Sequence, residues 1–212
     1  HGKIGKIFFK QLVTELQSFH RSLAELVSGQ ELKQRQVNLQ IGDYTVKGHL
    51  ENVGRKGLIL YRYATIKPKD VIRSWISHLV LNSQEESDPT GTDMNTFLAG
   101  KNNIYKYDPV NESNHLLGEL LDLYWHGLTK PLHFFPKASF VFAQEIHKGK
   151  NKKEALGKAF IEWEGNGFNK KGEKNDPYNR LCCKDMELSN PLFMEQAKKV
   201  FLPALLHQEK IS

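Results

Sequence analysis

The chain has 212 residues, 39% hydrophobic and 25% charged, with 30 Lys and Arg against 24 Asp and Glu for a formal charge of +6. That length can bury a substantial core without staples, and the composition excludes a disordered chain. The isoelectric point near 9.2 favours polyanionic partners, nucleic acid first among them, without requiring one.

Cys182 and Cys183 are adjacent, which disfavours a relaxed disulfide, and no zinc-ligand spacing is present, so a reducing cytoplasm is expected. No signal peptide is visible and no apolar run approaches membrane length, so no membrane partner is expected. The chain opens His1-Gly2 without Met, which suggests a fragment of something longer.

Ile4, Phe8, Leu12, Leu16, Phe19, Leu23 and Leu26 recur at helical spacing and predict a long amphipathic helix that covers a core and stops at Gly29. Val37, Leu39 and Ile41 then alternate with polar residues. Gly42-Asp43 and Gly54 to Gly57 are turn signals, so strands ending at Ile41, over Tyr44–Val53 and over Leu58–Tyr63 form an antiparallel meander. A helix follows Pro68, capped by Asp70, with Ile72, Trp75 and Leu79 on its apolar face. Residues 82–94 read as an acidic polar loop, and 96–99 with 104–107 as a hairpin. Further helices are predicted over 112–126, ending at Gly127, and over 138–148 and 151–163. An irregular stretch over 164–189 precedes a helix over 191–206 that breaks near Pro203. Helix, meander, helix, hairpin and helices make one α/β domain over 1–212, a mixed sheet flanked by helices.

The segment GHLENVGRKGLILYRY, Gly48 to Tyr63, resembles the scaffold of the PD-(D/E)xK, restriction-endonuclease-like nucleases: two strands joined by a turn, then a helix. Those nucleases place one acid on the first strand and an acid and a lysine, two apart, on the second. The acids hold magnesium against the scissile phosphate, and the lysine, on the same strand face, serves the attacking water or the developing charge. Here the resemblance puts Glu51 at the first acid, Tyr61 at the second acid and Tyr63 at the lysine. On the next helix, Arg73 and Trp75 fall where RecB-type nucleases carry Gln and Tyr. One carboxylate is too little charge to retain magnesium, so this implies a nuclease fold without its metal centre and no catalytic residue. The plainer reading of Tyr61 and Tyr63 is same-face aromatics packing on a sheet.

Several stretches resemble, in order, the C-terminal region of the RecC family, the exodeoxyribonuclease V gamma chain. They are GKIGKIFF, the Gly48–Tyr63 pair, WISHLVLN, PLHFFPKASF, WEGNGFNKKGEKNDPYNRL and FLPALL. The resemblance implies a non-catalytic DNA-handling role in recombinational double-strand-break repair, within a helicase–nuclease complex with RecB-like and RecD-like subunits. It also implies a strand-separating pin, for which the loop and hairpin at 82–107 are the expected protruding element. The alternatives are an active magnesium-dependent nuclease using Glu51 and a carboxylate from elsewhere, or a pure protein-interaction module.

Two lysine runs could track phosphates: Lys148, Lys150, Lys152 and Lys153, then Lys170, Lys171 and Lys174. Each could equally be a solvated loop. His115, Glu119, Asp122 and His126 share one helix face, which could suggest zinc but is also what a solvated face shows. Phe134, Phe135 and Phe140 surround Pro136 and Lys137; core packing is the leading reading and base stacking the alternative. No phosphate-binding GxxxxGK[ST] loop is present, and no cofactor or metal is expected in this domain.

Overall fold

The apolar repeat at the start forms helix α1, Lys3–Val27. A computed structural model describes residues 2–84, 91–167, 171–184 and 186–211. The alternating segment forms β1 (Lys33–Ile41), β2 (Tyr44–Gly54) and β3 (Gly57–Tyr61), paired as an antiparallel meander. Helix α2 (Pro68–Asn82) starts on Pro68, and the Lys67 N–H donates to Asp70 Oδ2 at 2.9 Å, so Asp70 caps from inside the first turn.

Helix α2 carries the chain across the sheet to β4 (Thr96–Ala99), which runs parallel to β3 in the register Leu58 to Thr96 through Tyr61 to Ala99. Strand β5 (Ile104–Tyr107) returns antiparallel. The remaining helices are α3 (Ser113–Thr129), α4 (Pro136–His147), α5 (Lys152–Glu164), α6 (Pro177–Cys182) and α7 (Pro191–Leu206), with a 3-10 turn at Glu173–Asn175. A short strand β6 (Gln208–Lys210) closes a six-stranded mixed sheet in the order β1-β2-β3-β4-β5-β6. Among the described residues no helix is long and apolar enough to cross a membrane.

Two cores organise the molecule. One lies between the sheet and its helices and joins Leu58 and Leu98 to Trp75, Leu79, Leu117 and Phe201. The other is helical and gathers Phe135, Phe142, Ala155, Ala159, Trp163 and Phe193. Phe134 and Phe140 pack on Phe201, with ring centroids 5.7 Å and 5.1 Å away, so the phenylalanine cluster is core.

Four expectations change. The hairpin at 96–107 does not protrude: all four β4 residues are buried, because β4 pairs on both sides inside the sheet. Residues 85–90 of the preceding loop lie outside the described residues. Gly127 lies within α3, not at its end. Helix α7 runs through Pro203 to Leu206, since burial of Phe201, Ala204 and Leu205 outweighs one lost backbone bond. Finally, α1 does not cover a core: none of its described side chains is buried and none joins either core. Polar ties hold it instead: Lys56 Nζ donates to the Ser28 carbonyl at 3.2 Å, and the Tyr63 hydroxyl donates to Glu15 Oε2 at 3.0 Å. These fasten residues 15–28 at the β2–β3 turn and just beyond the end of β3, and the apolar side chains of the first half stay open to solvent. Ile4, Ile7, Phe8 and Leu12 are exposed there.

The crossover is held by buried polar groups. His78, with no solvent exposure, sits 2.9 Å from Thr96 Oγ1 through Nδ1, and its Nε2–H donates to the Asp108 carbonyl at 3.0 Å. Asn82 donates to the Met94 carbonyl and accepts from the Val110 N–H, both at 2.9 Å. Burial holds the His78 imidazole neutral and lowers its pKa from 6.5 to about 4. The unfolded chain therefore takes up a proton below pH 6.5 that the native chain refuses until about pH 4. This contribution is intact above pH 6.5 and declines on acidification through that window, reaching on the order of 3 kcal/mol. Urea unfolding at stepped pH, paired with proton-uptake measurement on unfolding, should show one extra proton bound across this range.

Candidate nucleic-acid interface

Strand β2 contains an irregularity that decides where its side chains point. Lys33 pairs with Val53 and Arg35 with Leu50, so two steps in β1 face three in β2. Asn52 takes the extra step with a φ of 58°, a conformation its short polar side chain tolerates. Leu50 and Val53, three apart, are therefore both buried, and Glu51 turns outward.

Glu51 accepts from Gln34 Nε2 at 2.8 Å and lies 3.2 Å from His49 Nε2. Tyr61 is the last residue of β3 and is 52% exposed. Tyr63 follows the strand and docks on α1, its ring centroid 5.5 Å from that of Phe19 in an edge-on arrangement. The two tyrosines thus do not pack together on the sheet face: β3 ends between them, and Tyr63 is claimed by α1. Arg73 is exposed on α2, while Trp75 is buried against Tyr107.

A lysine does stand beside Tyr63, but from another element. Lys101, in the β4–β5 turn, lies with its Nζ 5.5 Å from the Tyr63 ring centre and 2.7 Å from Glu15 Oε2. Its hydrogen bond to Glu15, with others from Gln11 and Tyr63, holds that carboxyl below its usual range, and the same pairing raises the Lys101 ammonium. Desolvation, followed by the bond to Glu15, raises the Tyr63 hydroxyl.

The residues present do not fit a magnesium ion at the nuclease position. Glu51 is engaged by Gln34 and His49, two tyrosines stand at the other positions, and the Glu15 carboxylate is neutralised by Lys101. Among the described residues no group of three or more His, Cys, Asp or Glu could hold a metal ion. On α3, Asp122 accepts from the Tyr44 hydroxyl at 2.8 Å and Glu119 pairs with Lys199 at 3.1 Å.

The lysine runs occupy opposite ends of α5, about 18 Å apart. Lys148 pairs with Glu145 at 2.7 Å and Lys150 with Glu154 at 3.5 Å, while Lys152 and Lys153 are exposed in the first turn of α5. Lys174 pairs with Glu164, Lys171 is exposed, and Lys170 lies outside the described residues.

Strands β1 and β2 form a ribbon that the rest of the sheet leaves unpaired along most of its length. β2 pairs with β3 only at Val53 and Gly54, so residues 44–50, roughly 25 Å of strand, pair with β1 alone. Its apolar face, Val37, Leu39, Ile41, Val46 and Leu50, shares a core with α3 residues Leu116, Leu117 and Leu120. The opposite face presents Gln34, Gln36, Asn38, Gln40, Lys47, His49 and Glu51 to solvent. At the tip, the rings of Tyr44 and Trp125 lie 6.4 Å apart, and Trp125 is 59% exposed. This tip was not singled out from sequence, although Trp125 on a helix whose other face carries the leucines was a readable signal.

A family model described as RecC C-terminal domain matches residues 1–147. The chain is similar to the RecBCD enzyme subunit RecC of Buchnera aphidicola subsp. Schizaphis graminum, 24% identical over 223 residues, covering 99% of this chain and 20% of the relative. The RecBCD enzyme subunit RecC of Escherichia coli strain K12 is 22% identical over 216 residues, covering 96% of this chain and 18% of the relative. The chain thus spans about a fifth of the length of these curated relatives.

If the bulge aims Glu51 outward, the left-handed site at position 52 must reject branching. Asn52→Val should lose roughly 1–2 kcal/mol in urea unfolding, whereas Asn52→Gly should lose little or gain.

Proposed function

Since the chain belongs to the RecC C-terminal domain family, we propose that it is the non-catalytic, DNA-handling region of an exodeoxyribonuclease V gamma subunit. In this reading it works in the cytoplasm with RecB-like and RecD-like subunits in double-strand-break repair, and its core is a restriction-endonuclease-like fold without the metal chemistry. The unit β2, turn, β3 and α2 supports the nuclease-like ancestry. The side chains at its key positions support the loss of cleavage. A hydrolytic centre needs two acids converging on one cation, and here Glu51 and Glu15 have separate partners on separate elements.

The observation that carries the DNA-handling reading is the β1–β2 ribbon, unpaired by the rest of the sheet along most of its length and with an aromatic tip. Strand separation powered by motors elsewhere asks little of a wedge beyond rigidity, a neutral or basic flank and rings that can meet an opened base pair. The ribbon is stiffened from behind by α3, its bare face is rich in amides, and Tyr44 and Trp125 crown it. The ribbon therefore replaces the 82–107 hairpin as the proposed pin.

One observation favours the protein-interaction alternative. The first half of α1 exposes Ile7 and Phe8, at 63% and 66%, a surface suited to another folded segment.

Both readings are testable in the full-length subunit assembled with its partners. Tyr44→Ala with Trp125→Ala should slow unwinding of blunt duplex by about fivefold, the loss of one stacking contact, with ATP hydrolysis on single strands retained. Unwinding at the original rate would remove the ribbon from the mechanism. Separately, magnesium-dependent cleavage attributable to this region should be nil, and Glu51→Ala should change nothing. Cleavage that disappears in that variant would establish the nuclease alternative.

A further inference from the structure

A groove of about 990 Å³ lies between α5 and residues 174–180, 184 and 186–189, away from both the ribbon and Glu51. Helix α5 presents Ala155, Ala159 and Trp163 to the helical core and needs no large ring on its outer side. Yet Phe160 lies in the groove wall with 53% of its surface exposed. One turn earlier stands Gly157, where an added Cβ would meet nothing within 4 Å. A flat apolar floor with an open slot beside it suits a planar ring laid on Phe160.

The opposite wall is built and anchored. Gly172 presses its backbone against the end of α5, so closely that a Cβ there would lie 2.1 Å from the Trp163 carbonyl oxygen. Glu173 accepts from the Lys137 and Ala138 N–H groups at 3.0 and 2.8 Å, and Asn179 Nδ2 donates to the Glu173 carbonyl at 2.9 Å. Lys174 bridges to Glu164 across the groove. From this wall Arg180 and Lys184 line the groove, both exposed. Among the described lining residues, Glu164 pairs with Lys174, and Glu187, which keeps its charge, accepts from the Ser189 hydroxyl at 2.9 Å.

We propose that this groove binds a short run of single-stranded nucleic acid, with a base stacked on Phe160 and the backbone phosphates held by Arg180 and Lys184. The proposal rests on the DNA-handling reading and gives it a second contact point. An exposed ring faced by cations is the pairing that single strands use: stacking is tolerant of sequence because every base has a π-face, and the cations track the phosphates. A simple apolar protein groove needs no cations opposite the ring, and an anion site alone needs no ring. The inference also reassigns the basic contribution of this region from the lysine runs to Arg180 and Lys184.

The test is fluorescence anisotropy of labelled oligo-dT with the full-length subunit across a salt series. Phe160→Ala should weaken binding about tenfold at fixed salt, with Phe160→Tyr restoring it and the salt slope unchanged. Arg180→Ala with Lys184→Ala should instead flatten the slope of log affinity against log salt by about 1.4, two single-strand phosphates. Wild-type binding in both variants would overturn the groove while leaving the DNA-handling reading standing. No oligo-dT affinity in the unmodified subunit at low salt would overturn that reading and the groove with it. Displacement of oligo-dT from the groove by an acidic, aromatic peptide at lower concentration would overturn the assignment in favour of a protein ligand.

Discussion

His78 and Asn82 tie three parts of the chain together where no water reaches. Through them α2 is bonded to Thr96 in β4, to the Met94 carbonyl just before it, and to Asp108 and Val110 just after β5. A parallel strand pair cannot be closed by a tight turn and depends on the element that crosses over it. The buried bonds supply that closure, because leaving any of these groups unmatched in the core would cost far more than matching them returns. Ser74 and Tyr107, 3.0 Å apart and beneath Trp75, extend the same seam. With β3 and β4 held parallel, the end of β3 and the β4–β5 turn come side by side, and Tyr63 meets Lys101 there.

Tyr63, Lys101 and Glu15 meet where the end of β3, the β4–β5 turn and α1 come together. The lysine comes from a turn and the acid from α1, and each spends its charge on the other. A carboxylate satisfied by an ammonium, a phenol and an amide offers a divalent cation little. The arrangement instead fastens α1 to the sheet through polar contacts rather than through a shared core.

The same neutralisation recurs over the surface and tempers the formal charge of +6. Lys101, Lys106, Lys148, Lys150, Lys174 and Lys199 all pair with acids. Exposed pairs of this kind contribute little to stability. They do lower the free positive potential in the segments where lysines are most crowded. Lys152, Lys153 and Lys171 remain exposed beside them. Trp125 and Phe160 are among the large apolar side chains that the cores do not use.

The amino-acid sequence by itself determined the elements that follow from local periodicity: α1, the meander, α2, the β4–β5 hairpin, α3, α4, α5 and α7, but not the short α6, which lies in a stretch that reads as irregular, nor β6. It also carried the resemblance to the RecC family, since identity at a position needs no coordinates. Only the tertiary structure decided which of these elements are enclosed. A ribbon and a buried hairpin have the same alternating pattern until their neighbours are known, so the loop and hairpin over 82–107 read as a protruding element although β4 is enclosed in the sheet. Nor could the partners of Glu51, Tyr63 and Lys174 be read along the chain. They depend on a bulge at Asn52, the tie between α1 and the end of β3, and a glycine pressed against α5, contacts between residues that folding alone brings together.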